Sequence, residues 1–207
     1  MATLEFWFEF ASPYSYVAAM RIGELCAKSG VDLAWKPFSL GPIFRMQGWE
    51  TSHFNLNPLR GKYMWRDMQR LTTKFGLPWH QPTEFPRNTI LPLRVAAGNA
   101  DEKWIGDYVR AIYVASFSED ADISQPEVVA EALTSVGADS TAVMVEATDG
   151  ARRSALRANT ERAIELGIFG APDCLVNGEL FWGEESLEDA IAWLGPSVGR
   201  QPPELRR

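Results

Sequence analysis

Thr3-Leu4-Glu5-Phe6-Trp7-Phe8-Glu9-Phe10-Ala11-Ser12-Pro13-Tyr14-Ser15-Tyr16 is the stretch from which the fold is read, because its periodicity changes within two residues. Leu4, Phe6, Phe8 and Phe10 alternate with Glu5, Trp7 and Glu9, the period-2 pattern of a strand with an apolar face and a more polar one. Ala11-Ser12-Pro13 then offers a capping hydroxyl and a proline for the first helical turn. Ala18, Ile22, Leu25 and Cys26 recur at helical spacing up to Gly30. Val31, Leu33 and Trp35 alternate again before Pro37. Strand, helix and strand in this order predict a parallel, right-handed crossover that opens an α/β domain.

Moving outward, the pattern becomes helical from about Pro58 to Phe169. Met64, Met68, Leu71 and Phe75 form one apolar stripe, and Trp104, Tyr108, Ile112 and Ala115 another. Ser124-Gln125-Pro126-Glu127 reads as a capping box before Val128 to Val136, with Gly137 as the C-terminal glycine; Gly167 closes a helix that begins near Ala151. Asn177-Gly178 between Cys174-Leu175-Val176 and Glu179-Leu180-Phe181-Trp182 predicts a two-residue type I′ hairpin. Ser186-Leu187-Glu188-Asp189 opens a last helix, with Leu187, Ala190, Ile191 and Leu194 inward, ended by Gly195-Pro196. The expected division is a core from 1–45 and 151–200, a helical insertion over 46–150, and a solvated tail over 201–207. A cleft is expected between the lobes.

A chain of 207 residues with 46% hydrophobic and 23% charged content can bury a sizeable core. A net charge of -7 argues against a nucleic-acid partner, because affinity for phosphates comes largely from Lys and Arg. The N-terminus shows no basic leader or apolar core of a signal peptide, and no stretch reaches the roughly 18 apolar residues of a membrane span, so a cytoplasmic address and no membrane are expected. Cys26 and Cys174 form no C-x-x-C and read as packing residues. His53 and His80 have no second ligand at metal spacing, so no metal is expected.

Ser12 falls between the carboxyl end of a parallel strand and a helix N-terminus, where free N–H groups and the helix dipole favour negative charge. It reads either as a helix cap or as a residue facing a ligand. No G-x-S-x-G elbow or G-x-G-x-x-G occurs, which disfavours hydrolase and dehydrogenase readings.

Phe8-Glu9-Phe10-Ala11-Ser12-Pro13-Tyr14-Ser15-Tyr16 resembles the opening motif of 2-hydroxychromene-2-carboxylate isomerases and kappa-class glutathione transferases, thioredoxin-like proteins of the DsbA type. The resemblance continues through Pro58-Leu59-Arg60-Gly61-Lys62-Tyr63, Phe85-Pro86-Arg87-Asn88-Thr89, Phe169-Gly170-Ala171-Pro172 and Phe181-Trp182-Gly183. It implies an α/β fold with a thioredoxin-like core interrupted by a large all-helical insertion. Ser12-Pro13-Tyr14-Ser15 stands where redox relatives carry C-P-x-C, which implies an external thiol, glutathione, in place of disulfide chemistry.

The resemblance maps the catalytic serine onto Ser12 and a cis-proline onto Pro172, with the Ala171 backbone aimed at the cysteinyl unit of glutathione. It also carries glutathione binding to Asn57 and Arg60, where an arginine replaces the usual lysine, and to Glu184 and Glu185. Glu185 would receive the γ-glutamyl ammonium, while Glu184 and Asp173 bring carboxylates where the family has neutral side chains. A thiol of pKa about 8.5 is only about 3% ionised at pH 7, and lowering it to about 6.5 gives about 75% thiolate, a shift of about 2.7 kcal/mol. A serine hydroxyl bond and a helix N-terminus suffice for that order of stabilisation.

Lys62, Arg66, Arg70 and Lys74 continue the basic stripe from Arg60 and read either as an anion-binding face or as a solvated one. Trp49, Trp65, Trp79 and Trp182 read either as walls for a flat substrate or as packing. The implied activity is glutathione-dependent isomerisation of a 2-hydroxychromene-2-carboxylate or hydroxybenzylidenepyruvate-type substrate, by thiolate addition, bond rotation and elimination. Kappa-like conjugation is the enzymatic alternative, and a non-catalytic thioredoxin-fold binding module the other. The expected partners are a small aromatic carboxylate, glutathione and a second copy in a homodimer.

Overall fold

Thr3–Phe8 forms β1, and its alternation places Leu4, Phe6 and Phe8 on one face, all fully buried. The computed structural model describes residues 2–194. β1 is followed by α1 (Pro13–Ser29) and β2 (Asp32–Pro37), which pairs parallel to β1 from Thr3↔Asp32 to Phe8↔Pro37, as the sequence predicts. Gly30 ends α1 in the left-handed region, at φ 65°. Seven helices follow: α2 (Leu40–Met46), α3 (His53–Leu56), α4 (Pro58–Phe75), α5 (Ile90–Gly98), α6 (Ile105–Phe117), α7 (Pro126–Ser135) and α8 (Ser140–Ala147). Then come α9 (Gly150–Glu165), β3 (Asp173–Val176), β4 (Glu179–Trp182), a 3₁₀ turn at Glu184–Ser186, and α10 (Leu187–Trp193).

The sheet order is β2-β1-β3-β4, with β3 antiparallel to both neighbours. Asn177 and Gly178 join β3 to β4 at φ 51° and 82°, the left-handed pair that a type I′ turn requires. β1 is therefore a central strand, and helices cover both of its faces. On the first face Leu4, Phe6 and Phe8 pack with residues of α1, α6 and α10. The second face of β1 is not the polar one that its alternation suggests. Trp7 there is only 2% exposed and packs against Phe38, Ile43, Ala163 and Ile168, from the β2–α2 segment, α2, α9 and the loop after it.

Three local readings change. The strand stops at Phe8 rather than Phe10, because Glu9 leaves the ladder: its carbonyl accepts from the Ser12 amide at 3.0 Å, which closes a turn. The expected capping box at Ser124 does not form. The side chain of Asp122 takes the Ser124 amide at 3.0 Å and the Gln125 amide group at 2.7 Å, and α7 starts at Pro126 with Gln125 as an unbonded cap. Ser186 likewise does not cap α10, because its hydroxyl donates to the Trp182 carbonyl at 2.8 Å. The expected stop at Gly195-Pro196 and the tail over 201–207 lie outside the described residues.

Candidate active site

The loop between β1 and α1 ends on Ser12, whose hydroxyl makes two bonds. It accepts from the Ser15 amide at 3.1 Å, which is the helix cap, and donates to the Ala171 carbonyl at 2.9 Å. Ser12 thus caps α1, as one of its two readings has it, and also reaches across 159 residues of chain to the segment before β3. Ala171-Pro172 is cis, and the Pro172 carbonyl accepts from the Gly183 amide at 2.9 Å. Ser12 is 7% exposed, and the opening it faces is a cavity of about 900 Å³. That volume lies in the range of small-molecule sites.

Of the residues expected to bind glutathione, Arg60, Ala171, Pro172, Glu184 and Glu185 line this cavity together with Ser12. Asn57 does not line it. Its side-chain oxygen accepts from the Leu59 and Arg60 amides at 3.1 and 3.2 Å, so it serves as the N-cap of α4. Arg60 is thereby set in the first turn of α4 on the cavity wall. Glu184 is buried, and Arg21 of α1 pairs with it at 2.8 Å, so that carboxylate already has a cation. Burial pushes the Glu184 carboxyl up, while Arg21 pulls it down. Glu185 beside it is exposed and has no such partner among the described residues.

The rest of the basic stripe points elsewhere. Arg66 donates to Gln69, Arg70 pairs with Asp67, and Lys74 lies over the Phe75 ring. Two of the four tryptophans reach the cavity: Trp49, near Phe44 and His53, and Trp182, tilted at 47° against Phe169 with centroids 5.1 Å apart. Trp65 and Trp79 pack instead against each other, Phe85 and Phe117. Cys26 and Cys174 are both buried and free, as packing residues.

Sequence reasoning misses the roles of Glu9, Arg21 and His53 here. Glu9, read as the outer face of a strand, is 3% exposed and lines the cavity; burial pushes its carboxyl up to about 7. Arg21 of α1 pairs with Glu184 and Glu188, which lie 163 and 167 residues further along the chain. His53 sits on the wall, and burial first, then the nearby Arg60, lowers its imidazole. Asp173, the first residue of β3, is 1% exposed with both carboxyl oxygens unbonded among the described residues; burial pushes it up to about 8. Its sequence signal is the departure already noted, a carboxylate in place of a neutral side chain directly after the Ala171-Pro172 motif.

The model of the DSBA-like thioredoxin domain matches residues 3–192. A curated 2-hydroxychromene-2-carboxylate isomerase of Sphingobium xenophagum is 25% identical over 193 residues, spanning 93% of this chain and 97% of its own length. Glutathione S-transferase kappa 2 of Caenorhabditis elegans is 28% identical over 178 residues, spanning 82% and 78%. A solved structure of 2-hydroxychromene-2-carboxylate isomerase superposes with a TM-score of 0.84 at 22% identity, over 93% of this chain and 94% of that one. The α/β fold, a thioredoxin-like core of the DsbA type interrupted by a helical insertion, follows from these matches together with the sheet order. Among the described residues, no helix is long and apolar enough to cross a membrane.

Proposed function

This chain belongs to the family of DSBA-like thioredoxin domains, and from that premise we propose that it is a glutathione-dependent isomerase of a small aromatic carboxylate of the 2-hydroxychromene-2-carboxylate or hydroxybenzylidenepyruvate type. The observation that carries the reading is Ser12: a buried hydroxyl at a helix N-terminus, bonded to the carbonyl before a cis-proline, in a roomy cavity with no cysteine. A serine there cannot exchange disulfides. It can donate its one hydrogen to a sulfur anion.

The donor set suits a tripeptide with two carboxylates and an ammonium. Arg60 offers a guanidinium for a carboxylate, and the exposed Glu185 offers a carboxylate for the ammonium. Glu184 stays with Arg21 and braces the turn that presents Glu185. Glutathione, when bound, supplies a nucleophilic sulfur. Ser12 would turn its hydrogen from the Ala171 carbonyl to that sulfur, while the Ser15 amide holds the hydroxyl oxygen in place. Phe44, Trp49, Phe169 and Trp182 give the flat walls that a substrate ring needs. A homodimer in the cytoplasm belongs to the same proposal, and light scattering of the purified protein tests the assembly.

The test is conversion of a hydroxybenzylidenepyruvate-type substrate with and without glutathione, followed by mass. The expected product has unchanged mass and forms only with glutathione. Equal conversion without glutathione overturns the reading. The 28% identity to a kappa glutathione transferase favours conjugation as the second reading, recognised by a product heavier by one glutathione.

A further inference from the structure

Glu9 is the first residue past β1, and it is braced to Ser12 within one turn. The Ser12 amide donates to the Glu9 carbonyl at 3.0 Å, and the Tyr113 hydroxyl donates to the same carbonyl at 2.9 Å. The Glu9 carboxyl is fixed at both oxygens: the Ala11 amide donates to Oε2 at 2.7 Å, and the Thr89 hydroxyl bonds Oε1. Glu9, Ser12 and Thr89 line one cavity, and all three are buried.

The groups bonded to the Glu9 carboxyl are uncharged, and the charged side chains of the site line the cavity around it. From α6 comes Tyr113, whose phenol burial pushes well up; from α1 come the Ser15 hydroxyl and the Tyr14 phenol, with Ser12 as the cap before them. Arg87, from the loop after α4, is engaged with Asp120. Arg45 of α2, Glu50, His53 of α3, and Arg60, Tyr63 and Asp67 of α4 line the same cavity, with Asp67 paired to Arg70, and Glu184 and Glu185 line it from the turn after β4. Among the described residues, no ion pair involves Glu9. Its carboxyl is set by burial, opposed by the bonds from Thr89 and Ala11, and a charge that enters the cavity acts on it directly.

Two anions confined to one buried site repel, and the weaker acid of the two keeps a proton. A thiolate held by Ser12 and an ionised Glu9 are such a pair. We propose, on the reading that glutathione binds at Ser12, that Glu9 accepts the proton when the bound thiol ionises. An S–H bond breaks, an O–H bond forms on the Glu9 carboxylate, and the net charge of the site is unchanged. The Thr89 hydroxyl serves both states, donating to the carboxylate and accepting from the acid. Neutral Glu9 then holds the proton until the sulfur is free to take it back.

Calorimetric titration of reduced glutathione at pH 8, in two buffers of different ionisation enthalpy, counts the protons reaching solvent, while absorbance near 240 nm counts the thiolate formed. A thiol of pKa about 8.5 is still about 75% protonated at that pH. The expected result for the unmodified protein is a thiolate band with almost no proton released. Glu9→Gln, which keeps the bonds to Ala11 and Thr89, is expected to release about 0.75 proton per glutathione. S-methylglutathione, with no proton to lose, should release none from either protein. Release of about 0.75 proton by the unmodified protein overturns the proposal, and this arm stands even if the variant fails to fold. A missing thiolate band overturns the glutathione reading itself, and the proposal with it.

Discussion

The hydroxyl of Ser12 donates to the carbonyl of Ala171 at 2.9 Å, so the cap of α1 is tied to the segment before β3 beside the ladder that joins β1 to β3. The donated hydrogen is the only one the side chain owns, while its oxygen is held by the Ser15 amide. A ligand that uses Ser12 must therefore outcompete a carbonyl, and a charged acceptor does so better than a neutral one. Selectivity for an anion follows from this arrangement.

Replacing Ser12 with alanine is expected to lower turnover by about 10²- to 10³-fold, the usual effect of losing one preorganised donor. The fold should survive, because Pro13 still starts α1; loss of the cap costs about 1 kcal/mol, or a few degrees of thermal midpoint. Steady-state rates and a melting curve read both effects. Undiminished turnover would remove Ser12 from the mechanism.

Asp173 makes stability depend on pH in a direction that can be worked out. Its carboxyl stands at about 8 in the fold against 3.8 in the open chain, so between those values the native state keeps a proton that the unfolded chain has lost. Its contribution to stability is complete below pH about 4 and declines as pH rises to about 8. Asp173→Asn should abolish that decline, gaining about 2–4 kcal/mol on the unmodified protein between pH 5 and pH 8. Urea unfolding at the two pH values checks it, and a difference that stays constant with pH would sink the idea.

Gly170 is pressed against the indole of Trp182, where an added Cβ would lie 2.7 Å from Nε1. Gly170→Ala should push the half-exposed Trp182 off Phe169 at small expense in stability, because the indole is free to swing outward. If these rings hold the substrate, KM rises roughly 3- to 10-fold, about 1 kcal/mol of lost contact, while kcat changes little. An unchanged KM would place the substrate elsewhere.

Arg21→Ala strips Glu184 of its cation and uncovers the Phe75 ring, which the guanidinium overlies at 3.8 Å. We expect a loss of about 1–3 kcal/mol, less than for a fully buried pair because Arg21 keeps some solvent. The double variant Arg21→Ala/Glu184→Gln should recover part of it, since the only carboxylate then left without Arg21 is Glu188, which is exposed to solvent. Chemical denaturation of the four proteins closes the cycle.

What could be read from the sequence was set by local chemistry. β1, α1 and the Asn177-Gly178 turn follow from periodicity and from residues suited to their own backbone angles. The residues picked out by the family motifs at Ser12, Arg60 and Pro172 line one cavity, whereas Asn57 lies outside that lining and caps α4. Glu9 and Arg21 stayed hidden because their meaning depends on Thr89 and Glu184, 80 and 163 residues away. Trp7 misled for a related reason: alternation reveals that a strand has two faces, but not that α9 returns to cover the second. At Ser124 a neighbouring aspartate competed for the same amide and won.

The place of β1 in the sheet limits how this molecule can be divided. Its parallel neighbour is drawn from residues 32–37 and its antiparallel neighbour from residues 173–176, so the early and late parts of the chain share one ladder. A protease cut between helices of the insertion would leave two fragments, each with an open sheet edge that the other was built to close. Such fragments should reassemble on mixing and regain the pocket only as a pair.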